Sequence, residues 1–123
     1  MDKNNIVEME KEELDEAKAA AAKAETLFTL KFKKPFTYDS VEYDELQFDF
    51  DSLTGKDSLD VEAELARKGT QVAVPAFSGE YIIRIAARAC TSPIGHDAML
   101  LMSLRDYNRL RSKVRNFLMA SEL

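Results

Sequence analysis

The sequence predicts an α+β domain in which a β-hairpin over about residues 27–50 packs on three to four α-helices, at about 55–68, 79–90, 95–102 and 104–119. Two observations carry this reading. The first is strict alternation: Phe28, Leu30 and Phe32 alternate with Thr29, Lys31 and Lys33, and Leu46, Phe48 and Phe50 alternate with Glu45, Gln47 and Asp49. Period-2 alternation gives each arm one apolar and one polar face, as in a half-buried strand. The second is a change of period after Leu53, where apolar residues recur three and four apart between capping residues.

Folding the arms about Asp39 pairs Phe28 with Phe50, Leu30 with Phe48 and Phe32 with Leu46 on one face, and Lys33 with Glu45 on the other. Tyr38-Asp39-Ser40 forms the turn, since Asp tolerates the left-handed region. Pro35 lacks an N–H and interrupts the first arm. The apolar phase also slips between Tyr43 and Leu46, which calls for a bulge or for a second strand that starts late, near Glu45.

Thr54 caps the first helix and Asp57 completes a capping box, with Leu59, Ala63, Ala66 and Leu65 as the inner stripe and Gly69 at the C-terminal cap. Ser78 caps the second, whose Tyr81, Ile82, Ile85, Ala86 and Ala89 face the core while Arg84 and Arg88 lie opposite. A short helix follows Pro93. Ser103 then caps the last, which carries Tyr107, Leu110, Val114, Phe117 and Leu118 on one side and Arg105, Arg109 and Lys113 on the other. Residues 1–25 read as a charged leader, flexible or an exposed helix, and 26–123 as a single domain.

The formal charge of −5 is unevenly spread. Between residues 84 and 115 seven basic residues (Arg84, Arg88, Arg105, Arg109, Arg111, Lys113, Arg115) face only Asp97 and Asp106. Such a dipolar chain is suited to an acidic partner or to head-to-tail self-association. The rest of the chain repels phosphate, so nucleic acid is not the expected partner, although the basic last helix has donors suited to DNA. One histidine, His96, and one cysteine, Cys90, give no nucleophile–base pair and no zinc ligand set, and the four glycines are too scattered for a phosphate loop. We therefore expect no enzyme, metal or cofactor. The absence of a long apolar run and of disulfide pairs suits a soluble cytoplasmic protein. Met99, Met102 and Met119 sit among Leu100, Leu101, Phe117 and Leu118. Flexible thioethers suit an adaptable binding surface or fill a small core, and the sequence leaves both open.

A series of short features resembles the phage tail assembly chaperones. These are Pro35-Phe36-Thr37-Tyr38-Asp39 leading to Tyr43 and Leu46, then Leu53-Thr54-Gly55-Lys56-Asp57, then Tyr81 through Ala89, Pro93-Ile94, Leu104-Arg105-Asp106 and Phe117-Leu118. The family more often carries Gly where Ser40 stands. The resemblance implies a non-enzymatic protein of the bacterial host cytoplasm, encoded in a phage or prophage upstream of the tape measure gene. It would bind the tape measure protein, keep it soluble and help recruit tail-tube subunits, without remaining in the mature virion. On that reading Met99, Leu100, Met102, Phe117 and Leu118 are the expected apolar contact, and Arg105, Arg109 and Arg115 its electrostatic rim. A small nucleic-acid-binding regulator and a structural tail or connector subunit are the alternatives.

Overall fold

A computed structural model describes residues 11–12 and 26–122. Strands β1 (Leu27–Tyr38) and β2 (Val41–Asp49) pair antiparallel and are followed by helices α1 (Gly55–Arg67), α2 (Gly79–Ala89), α3 (His96–Met99) and α4 (Leu104–Ser121). Single 3₁₀ turns occupy Phe50–Ser52 and Pro75–Phe77. The class is α+β, as expected. Apart from residues 11–12, the expected leader lies outside the described residues.

The hairpin keeps the expected faces but not the expected partners. Asp39 and Ser40 both have positive φ, 50° and 65°, and form a two-residue turn that pairs Tyr38 with Val41. Two left-handed residues match the twist of the strands they join, which a turn centred on Asp39 alone does not achieve. Pairing runs through Thr37–Glu42 and Phe36–Tyr43, then breaks. Phe32, Lys33, Lys34 and Pro35 stand opposite the single residue Asp44, and pairing resumes at Lys31–Glu45, Leu30–Leu46 and Phe28–Phe48. The irregularity therefore inserts residues into the first arm, where Pro35 cannot donate to the ladder, and not into the second. Phe28 and Leu30 each meet a partner two positions from the expected one, and Phe32, expected opposite Leu46, lies in the unpaired bulge. An even displacement leaves the faces unchanged, so Phe28, Leu30, Leu46 and Phe48 are still buried. Phe50 leaves the strand and stacks on Phe117, with ring centroids 5.2 Å apart.

The expected caps are in place. The Thr54 N–H donates to Asp57 Oδ2 at 2.8 Å, and the Ser78 and Ser103 hydroxyls accept from the Tyr81 and Asp106 N–H groups, each at 3.2 Å. After α1, Gly69 has φ +82°, its N–H bonds Ala66 O, and the Thr70 N–H bonds Leu65 O. That pair of bonds is a Schellman ending, which favours glycine at the left-handed position. Ser103 adopts extended backbone to cap α4, so the preceding helix stops early. It closes through tight bonds from Leu101 N to Ala98 O and Met102 N to Met99 O, and α3 covers one turn where a helix to 102 was expected.

One cluster joins the hairpin residues to Val61 and Leu65 of α1, to α2, to Met99 and Met102, and to Leu110 and Val114 of α4. The inner face of α1 is Ser58, Val61 and Leu65, with the Ser58 hydroxyl 2.7 Å from that of Tyr81. Of the expected stripe only Leu65 is buried; Leu59, Ala63 and Ala66 are exposed, because α1 seats its 58–61–65 face on α2. Past Ala89 the chain runs along β2: the Thr91 N–H bonds Gln47 O at 2.9 Å, and Cys90 bridges Phe48. This covers part of the second hairpin edge.

Candidate partner-binding surface

Charge is unequally satisfied over the surface. On the α1–α2 side, Arg84 does not lie on a solvated face as its spacing implied; its side chain is 8% exposed. It donates through Nε to Glu64 at 3.0 Å and through Nη1 to the Glu80 carboxylate and carbonyl. Burial of this guanidinium is tolerable because its Nε and Nη1 donors meet oxygens of Glu64 and Glu80, and no buried side-chain donor is left without a partner among the described residues. Arg88 binds Asp57 at 2.9 Å and Asp60 at 3.4 Å, and Lys68 binds Glu80 at 3.2 Å. The Asp57 carboxyl is held below its ordinary value first by the Thr54 N–H and then by Arg88. Glu80 is held low first by Arg84 and then by Lys68. Two of the seven basic residues between 84 and 115 are thus absorbed into internal pairs.

The remaining five lie on α4. Arg109 turns toward β1, donating to Lys31 O at 2.9 Å and to Asp106 at 3.4 Å, and Lys113 Nζ sits 5.5 Å from the centre of the Phe28 ring. Arg105 is exposed. Arg115 is ten residues further, about 15 Å along the helix, so the expected rim of Arg105, Arg109 and Arg115 is not one cluster.

The expected apolar contact is corrected more sharply. Met99 is fully buried and Met102 is 8% exposed; both belong to the core. Phe117 is held against Phe50, and Leu118 is half-buried in the shallow depression that Leu53, Tyr81 and Ile85 also line. Of the five, only Leu100 is freely exposed, at 61%. Beside it stand Leu101 at 68% and Leu104 at 72%, which the expected set omitted. The pattern Met99-Leu100-Leu101-Met102 contains the reason. Positions three apart share a helical face, so both methionines turn inward and both leucines turn out.

Two depressions adjoin the start of α4. Leu100 and Tyr107 line one of about 280 Å³ with Gly79, Glu80 and Ile83. In the other, Ser103, Arg105 and Asp106 of the α4 start face Lys33, Lys34, Pro35 and Phe36 of the β1 bulge across about 460 Å³. The bulge that displaced the register is what carries the two lysines there.

Elsewhere, Asp97 beside His96 accepts the Tyr38 hydroxyl at 2.8 Å, which ties the hairpin tip to the α3 turn. This bond lowers the Asp97 pKa and raises that of Tyr38. Burial raises the Cys90 thiol pKa. Among the described residues no three His, Cys, Asp or Glu side chains are placed to hold a metal ion, and no helix is long and apolar enough to cross a membrane. No family model, curated protein or solved structure matches the chain.

Proposed function

We propose that this protein is a phage tail assembly chaperone, working in the cytoplasm of the bacterial host without becoming part of the mature virion. The observation that carries the reading is the ridge of Leu100, Leu101 and Leu104, three large apolar side chains left in water next to cations. A small domain that caps its helices and partners its buried polar side-chain atoms, among the described residues, has no folding reason to leave such a ridge uncovered. A ridge of this kind suits the apolar stripe of a long amphipathic helix, which is the form of partner a tape measure protein presents. The sequence features from Pro35 to Leu118 support the same reading by their order. No catalytic step enters it: the protein acts by covering its partner and by presenting it to tail-tube subunits.

The test is co-expression with the tape measure protein encoded downstream. The wild-type chain keeps that protein in the soluble fraction; Leu101→Asp with Leu104→Asp loses this while retaining the wild-type urea midpoint. Equal solubilisation by the double variant, or no tape measure gene downstream, refutes the proposal. Retention on duplex DNA that falls with salt would instead favour the regulator reading, which the α4 cations Arg105, Arg111 and Arg115 support.

A further inference from the structure

The depression beside the leucine ridge differs from the rest of the surface in its charge balance. Lys33, Lys34 and Arg105 converge on it and form no ion pair among the described residues. The carboxylate present, Asp106, is already engaged by the Ser103 hydroxyl at 2.9 Å and by Arg109 at 3.4 Å. Three cations around one hollow repel each other, and an anion seated between them relieves that repulsion. The hollow also has apolar wall from Pro35 and Phe36, while Leu104, which precedes Arg105 and does not line the hollow, turns to the next face of the α4 start. An occupant lying across the α4 start therefore meets leucines and then cations, which calls for an apolar stripe with carboxylates along its flank.

We propose that the hollow formed by Lys33, Lys34, Ser103, Arg105 and Phe36 receives Asp or Glu side chains of an amphipathic helix whose apolar stripe lies on Leu100, Leu101 and Leu104. This rests on the leucine ridge being the docking face and adds the chemical class of the helix it selects. Arg105 supplies a planar fork for a carboxylate and the two lysines act as point charges. A phosphate backbone would match the cations but leave the three leucines without partners. A second copy would have to dock through carboxylates outside the α1–α2 ion pairs, such as Glu45 and Glu62, and self-association is therefore scored as a separate outcome.

The experiment titrates the full chain with three synthetic helices that share one leucine stripe and carry Glu, Gln or Lys along its flank. The Glu helix binds about tenfold tighter than the Gln helix, and the Lys helix binds most weakly. The advantage fades by about 0.5 M salt. The variant Lys33→Glu, Lys34→Glu, Arg105→Glu reverses the order and keeps the wild-type thermal midpoint. Leu101→Asp with Leu104→Asp loses all three helices. Equal binding of the Glu and Gln helices overturns charge selection and leaves the ridge standing. Failure of every helix overturns both. Tighter binding of duplex DNA than of the Glu helix, or salt-reversible self-association without any helix, overturns the proposal in favour of nucleic acid or a second copy.

Discussion

The α1–α2 face and the junction between α3 and α4 are built from the same residue types and treated in opposite ways. On the first, arginines meet carboxylates within hydrogen-bond distance and a guanidinium is buried between two helices. At the second, cations of the β1 bulge and α4 face an open hollow and three leucines face water. The first region spends its charges on holding the fold together. The second leaves charge and apolar surface uncommitted, in a form that helps only when something else arrives. Cationic residues in a sequence therefore mark a binding surface only after the internal pairs have been subtracted.

The contrast is sharpest between neighbours. Met102→Asp places a carboxylate in the core and costs at least about 3 kcal/mol, read as a loss of the cooperative urea transition. Arg84→Ala leaves Glu64 and Glu80 without their shared donor and costs about 3 kcal/mol; Arg84→Met recovers part of that by filling the space. These substitutions weaken the fold without replacing a leucine or a cation of the ridge.

Acid probes the same face more gently. Asp57 and Glu80 have folded-state pKa values below their unfolded ones, so their contribution is present above the unfolded values and is lost as pH falls through the folded ones. Urea midpoints measured from about pH 6 down to pH 3 fall, and the fall is shallower for Asp57→Asn with Glu80→Gln. Glu80 is about half-exposed and Asp57 partly so, and screening keeps the effect to about 1 kcal/mol. The smallest effect on stability belongs to Leu101→Asp with Leu104→Asp, within about 0.5 kcal/mol of wild type. A large loss of stability there would place the leucines in the core and erase the contrast.

Capping and alternation were legible in the sequence because they are local. Thr54, Gly69, Ser78 and Ser103 each end or begin a helix where their side chains or φ preferences require it. The hairpin faces were legible and its register was not, since a period of two cannot distinguish pairings that differ by an even number. Pro35 signalled a break but not the four-residue bulge that places Lys33 and Lys34 against α4. The candidate surface was half legible. Leu100 and Arg105 follow from the sequence, whereas Met99 and Met102, which composition leaves open between core and contact, turn inward because neighbours on a helix point to different faces. The burial of Arg84 is not legible, because its i,i+4 partner Glu80 is local to α2 whereas Glu64 closes over the pair only when α1 packs.

Amide chemical-shift mapping of the full chain, titrated with a helical segment of the tape measure protein encoded beside it, tests the central claim most directly. The account predicts shifts confined to residues 100–108 and 33–36, with the amides of 57–67 unmoved. Shifts centred on 57–67, with none at Leu101 and Leu104, would contradict it.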